Sequence, residues 1–163
     1  MAHEKTDAEA RDKVWDMIKH IRVAHLVTHS ENGTMHARPM HTMNSEFDGQ
    51  LWFFTSVKSP KIEEIEHNNN VLLIYSDTKK DAYISIQAHA EVVNDREKIA
   101  DLWSEMIRIW FPEGKDDPRL RLLCITVNKA EYWDNDAQML ELIYGYAVAT
   151  LTGKVAKIGE NKI

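Results

Sequence analysis

The chain has 163 residues, a net charge of −6 and a single cysteine. The acidic balance argues against broad binding to a phosphate backbone, which needs a basic face. Cys124 alone excludes an internal disulfide and a multi-cysteine metal centre, and it suits a reducing, cytoplasmic setting.

A single domain over 1–163 is the simplest expectation at this length. Such a domain buries roughly 70% of its unfolded surface and needs no metal or disulfide to fold. The opening MAHEKTDAEARDK is charged and lacks the apolar core of a secretory signal. No apolar run approaches the roughly 18 residues of a membrane span. The expectation is a soluble protein of the cytoplasm, without nucleic-acid or membrane partners.

Thr6-Asp-Ala-Glu9 has capping-box form, and Ala10, Val14, Met17, Ile18 and Ile21 follow at helical spacing, predicting a helix over about 7–21. Val23 to Ser30 reads as a strand, and Asn32-Gly33 turns it into a second strand over about 35–44. A third strand is predicted over 51–56. Ser59-Pro60 then opens a short helix, with Ser as cap and Pro at the first position, where its missing N–H costs nothing. Residues 71–76 and 82–93 are β-rich. Asn94-Asp-Arg-Glu97 is another cap, and Ile99, Leu102, Trp103, Met106, Ile107 and Trp110 form one apolar stripe. The stripe predicts one helix that stops at Phe111-Pro112. Strands are predicted at about 120–127 and 130–134, followed by a helical or mixed tail over 136–163. Strands that adjoin through hairpins predict an antiparallel sheet of six to seven strands, curled into a barrel with helices alongside.

The common nucleotide loops, the G-x-S-x-G elbow and H-E-x-x-H are all absent. His25 and His29 are four apart, but on a strand that separates them by about 13 Å, too far to share one ion. Asp134-Asn-Asp136 lacks the glycine and distal glutamate of a calcium loop. Cys124, within Leu122–Val127, reads as a small buried hydrophobe.

What remains is positive charge beside aromatics. Alternation places His36, Arg38, Met40 and Thr42 on one strand face. Pro39 inside the same strand requires an edge or a bulge. In LWFFTS, residues 51–56, Leu51, Phe53 and Thr55 share one face, and Trp52, Phe54 and Ser56 the other. The next helix begins at Ser59, beside Lys61. A helix N-terminus, a lysine, hydroxyls and an arginine on a neighbouring strand suit a phosphate dianion. They equally suit a surface ion pair next to a capped helix.

The segments Ala37-Arg-Pro-Met40, Asp48-Gly-Gln-Leu-Trp-Phe-Phe-Thr-Ser56, Ser59-Pro-Lys61 and Ala82–Glu91 occur in a specific order. Trp110–Pro118 and Ala130-Glu-Tyr-Trp-Asp134 continue it. In these the chain resembles the pyridoxamine 5′-phosphate oxidase-like split-barrel flavoproteins, and within them the general stress protein group, over residues 8–135. The resemblance implies a mainly β, α+β fold: a six-stranded antiparallel split β-barrel with flanking helices, paired as a homodimer with FMN at the subunit interface. It implies that Arg38, Pro39 and Met40 run along the flavin, with Arg38 reaching its phosphate. Phe54 and Thr55 would border the ring and ribityl chain, and Ser59 and Lys61 would hold the phosphate. Tyr83 stands where the family places a polar side chain near the ring. Trp133 matches a tryptophan that approaches from the partner subunit.

The true oxidase carries a basic motif after that tryptophan, where this chain has Asp134-Asn-Asp136. Two carboxylates repel a substrate phosphate, so pyridoxine or pyridoxamine phosphate is not the expected substrate. The expected activity is that of an FMN oxidoreductase with an unidentified small redox substrate and no obligatory catalytic residue. His36 and His41 are candidate proton carriers on opposite strand faces. FAD, the deazaflavin F420 and haem are alternative cofactors. A non-catalytic flavin carrier or stress sensor, or a cofactor-free interaction module, are the rival readings.

Overall fold

The structure, a computed structural model, describes residues 7–134 and 161–162. The predicted tail over 136–163 therefore lies, but for its last strand pair, outside the described residues. Helix α1 spans Asp7–Ile18 and packs Val14 and Ile18 into the core. It ends before Ile21 because Arg22 turns the chain with a positive φ of 64° and donates its N–H to the Ile18 carbonyl.

The strands are β1 (Val23–His29), β2 (Met35–His41), β3 (Gln50–Ser56), β4 (Asn70–Asp77), β5 (Ala82–Val93) and β6 (Leu120–Trp133). A two-residue β7, Asn161–Lys162, pairs with β6. Helix α2 (Pro60–His67) follows β3, and α3 (Arg96–Leu102) follows β5. Strand order is β2-β1-β4-β5-β6-β3, and every pairing is antiparallel. The result is a six-stranded antiparallel split barrel with flanking helices.

Alternation makes the core. Ala24, Leu26, Leu51, Phe53, Leu73, Tyr75, Ile84, Ile86, Leu123 and Ile125 all point inward and are essentially inaccessible. A second apolar layer lies outside β3 and β6, where Ile99, Leu120 and Leu122 pack with Trp52, Phe54, Trp103 and Phe111.

The sheet departs from the expected sequence of hairpins at its edges. β2 and β3 follow one another in the chain but are the two ends of the sheet path, so Arg38 is not on the strand paired with β3. β3 pairs instead with β6, from Gln50 opposite Thr126 to Ser56 opposite Leu120. β6 is one continuous strand rather than two, because the extra residue, Asn128, is absorbed as a bulge between the Gln87–Lys129 and Ala88–Val127 pairs. β2 stops at His41, since the next amides leave the ladder: Thr42 N–H donates to Arg22 O and Met43 N–H to Trp52 O at 2.9 Å. That last bond ties the two sheet edges together. Asn44 secures the crossing, accepting from Trp52 N–H at 2.8 Å and donating to Gln50 O at 2.8 Å.

The predicted helix through residue 110 is also broken. α3 ends at Leu102, Trp103 is extended with ψ 135°, and a 3-10 segment over Glu105–Ile109 follows. Trp103 packs edge-on against Phe54, ring centroids 6.0 Å apart. The stripe is consequently divided: Ile99 and Ile107 are buried, whereas Met106 and Trp110 are 64% and 62% exposed.

Candidate functional site

The seam between β2 and β3 opens into a groove of about 500 Å³, within the range of cofactor pockets. Pro39, Met40 and His41 form one wall, and Phe54, Thr55 and Ser56 the other. Ser59 and Lys61 close one end, and Met106, Ile107, Trp110 and Phe111 add an apolar side.

Strand alternation explains the β3 wall. Phe53 is spent on the core, so Phe54 faces outward, while Thr55 turns inward beside the seam. Lys61 then reaches back from the first turn of α2 and donates to Thr55 Oγ1 at 3.1 Å and Ser59 Oγ at 2.7 Å. Ser59 occupies the N-cap position as expected, but its hydroxyl makes no bond to the helix amides. It serves as the acceptor for Lys61 instead. Burial, the Arg38 charge nearby and an opposing pull from Glu64 leave the Lys61 ammonium with a lowered pKa.

Arg38 does not line the groove. Its Nη2 donates to Glu64 Oε2 at 2.8 Å and its Nη1 to the Thr28 hydroxyl. Thr28 in turn donates to Glu64 Oε2, and His36 Nδ1 lies 2.5 Å from Glu64 Oε1. Glu64 is only 8% exposed. Burial alone would raise its pKa, yet the bonds from Thr28, His36 and Arg38 and the Arg38 charge pull it down to about 2. Glu64 was absent from the sequence reading. The available signal was its place three residues after Lys61, which puts both side chains on one helix face.

His41 lines the groove, whereas His36 faces Glu64. The opposite-face expectation for the two histidines is met. His41 has a lowered pKa, through burial and then the nearby Arg22 charge, so its ring is neutral at neutral pH. Tyr83 and Trp133 stand directly opposite each other across β5 and β6, away from this groove within the single chain. Cys124 is buried, and burial raises its thiol pKa. Among the described residues no group of three His, Cys, Asp or Glu is placed to hold a metal, and no helix is long and apolar enough to cross a membrane.

The donor set fits a flat, phosphorylated cofactor. A half-buried ammonium with two hydroxyls stands at one end of a groove whose remaining length is aromatic and aliphatic. The burial that disfavours the Lys61 charge is offset when an anion joins it.

The chain is similar to solved structures of this shape. A protein related to general stress protein 26, of the pyridoxinephosphate oxidase family, from Clostridium acetobutylicum shares 23% identity at a TM-score of 0.69, covering 80% of this chain and 92% of that one. A general stress protein 26 from Jannaschia sp. CCS1 shares 23% identity at a TM-score of 0.70 and covers 96% and 98%. The general stress FMN/FAD binding protein of Xanthomonas citri shares 30% identity at a TM-score of 0.68 over 78% and 90%. No curated protein sequence matches the chain. The sequence profile of the pyridoxamine 5′-phosphate oxidase-like family matches residues 9–157. With that span, the seam and its Lys61 corner, the chain belongs to the pyridoxamine 5′-phosphate oxidase-like family.

Proposed function

We propose that this protein binds FMN along the β2–β3 seam and acts as a flavoprotein of the general stress type, with oxidoreductase chemistry. The observation that carries the reading is the Lys61 ammonium, half-buried at the closed end of an apolar groove, whose hydrogen-bond partners among the described residues are the hydroxyls of Thr55 and Ser59. The Xanthomonas citri protein is described as FMN/FAD binding, and a relative in fold from Nostoc punctiforme, at 13% identity, as FMN binding.

In this reading Lys61, Ser59 and Thr55 hold the phosphate, with Arg38 behind them. Pro39, Met40 and Phe54 flank the ring system. Bound flavin would supply the acceptance and release of electrons. The chain contributes orientation, an apolar setting that keeps water out, and a neutral imidazole at His41 able to pass a proton. Tyr83 and Trp133 belong to this reading only through a homodimer, in which the partner's side of each cleft completes the site. Asp134 and Asp136, directly after Trp133, stand where the true oxidase carries its basic motif, and the lack of that motif speaks against a phosphorylated pyridoxine as substrate.

The visible spectrum of the purified protein, followed by titration of the apoprotein with FMN, FAD and riboflavin, tests the proposal. A flavin spectrum and preference for FMN are expected. A Soret band, an F420 spectrum or indifference to flavins would each refute it. Anaerobic bleaching by NADH or NADPH separates a turning-over enzyme from a flavin carrier.

A further inference from the structure

We propose that Glu64 is an internal counter-ion that competes with a ligand's phosphate for Arg38, and so sets how strongly the groove distinguishes a phosphorylated from an unphosphorylated ligand. The choice of flavins as ligands rests on the function proposed above.

α2 projects Lys61 and Glu64 from successive turns of one face. Lys61 reaches β3, through Thr55, and faces the groove. Glu64 reaches β1 and β2, through Thr28, His36 and Arg38. The Arg38 side chain is 22% exposed, and both its terminal nitrogens are engaged, one by the Glu64 carboxylate and one by Thr28. Arg38 lies near enough to Lys61 for the two charges to oppose each other. Among the described residues at this end of the groove, an incoming dianion therefore meets the Lys61 ammonium and a guanidinium already engaged by a carboxylate. Coulomb attraction between Arg38 and the dianion is set against the same attraction to Glu64, and a carboxylate this deeply buried is weakly screened by solvent. Glu64 also repels the dianion directly. The buried carboxylate is thus an attenuator of the anion end, and Arg38 is its point of action.

The test is titration of wild type, Glu64→Gln and Arg38→Gln, singly and combined, with FMN and with riboflavin, followed by flavin fluorescence. Glutamine keeps the length of Glu64 and accepts from Arg38 but carries no charge. Glu64→Gln is expected to raise the preference for FMN over riboflavin about fivefold or more, with riboflavin affinity unchanged. In the Arg38→Gln background the same substitution is expected to change that preference less than about twofold. An unchanged or reduced preference in Glu64→Gln overturns the proposal, and so does a full effect without Arg38. If Glu64→Gln does not fold, Glu64→Asp withdraws the carboxylate from Arg38 while keeping its charge. A rise of about twofold in FMN preference is then expected, and none or a fall overturns the proposal. If the wild type binds neither flavin, the flavin reading fails by itself. Inorganic phosphate then becomes the probe. Greater thermal protection by phosphate in Glu64→Gln than in wild type sustains the Glu64 inference, and equal protection overturns it.

Discussion

Lys61 and Glu64, three residues apart on α2, hold opposite edges of the open sheet: the ammonium binds Thr55 on β3, and the carboxylate binds Arg38 and His36 on β2 and Thr28 on β1. The helix spans a split that the backbone closes at Met43 and Trp52. One face of α2 thus reaches both walls of the split, the cation toward β3 and the carboxylate toward β2.

Lys61 has a folded-state pKa below its ordinary 10.5, set first by burial. A lysine so shifted is more readily protonated in the unfolded chain, so its charge costs stability at neutral pH, a cost relieved as pH rises through the folded value toward 10.5. Lys61→Met keeps the apolar stem and drops the charge. Its ligand-free melting temperature should equal or exceed that of wild type, while the rise on adding FMN should vanish. Calorimetry with and without FMN decides; a large ligand-free loss would contradict the assigned cost.

Glu64 has the reverse sign. Its folded pKa is about 2 against an ordinary 4.5, so the stability it contributes is whole above about pH 4.5 and is lost as pH falls toward 2. The shift corresponds to at most about 3 kcal/mol. Denaturant melts of wild type and Glu64→Gln between pH 6 and pH 2 should converge on the acid side. Parallel curves would mean that the carboxylate is not preferentially ionised in the fold.

Loss of the groove-facing cation should outweigh loss of the engaged one. Lys61→Ala is expected to weaken FMN binding by about 1.5–3 kcal/mol, the value of a charge-assisted hydrogen bond. Arg38→Ala should cost less, because Glu64 already neutralises the guanidinium. Equilibrium titration of both variants ranks them, and the opposite order would move the phosphate toward β2.

Trp110 is 62% exposed beside the groove, held by a turn in which Phe111 N–H donates to Ile107 O and Gly114 N–H to Phe111 O. Truncating an exposed side chain away from the core usually changes stability by no more than about 0.5 kcal/mol. Trp110→Ala should therefore melt like wild type yet bind flavin more weakly and quench its fluorescence less. Unaltered binding and quenching would remove Trp110 from the site.

The proposed homodimer has its own measurement. If clefts are shared, dilution below the subunit dissociation constant should release flavin together with monomer. Fluorescence and sedimentation at matched concentrations report both, and a monomer that retains flavin would place the whole site within one chain.

Local rules made much of this readable. Alternation in LWFFTS put Leu51, Phe53 and Thr55 on one face, which the fold buries, and Ser59-Pro60 marked the start of α2. What escaped was non-local. Nothing within residues 35–56 reveals that β3 bonds to β6 rather than to β2, because that register is fixed by partners from the other end of the sheet. The apolar stripe through Trp110 has the period of a helix, but the helix breaks at Trp103, whose ring packs on Phe54 from a distant strand. Glu64 looks like any solvated helix glutamate until β1 and β2 fold over it. The family resemblance supplied the split barrel, and the geometry added Met106 and Ile107 to the groove and placed the buried carboxylate.

The long strand β6 carries a consequence for the order of assembly. It pairs with β5 along nearly its whole length and with β3 along its first half, so one groove wall hangs on residues made long after that wall itself. Phe54 and Thr55 gain their ladder only when Leu122 and Arg121 arrive, and such distant pairings form late because the loop must close first. A nascent chain that has completed β1, β2, β4 and β5 thus has a hydrophobic sheet but no pocket. Loading of the proposed flavin would in this way report that folding has finished.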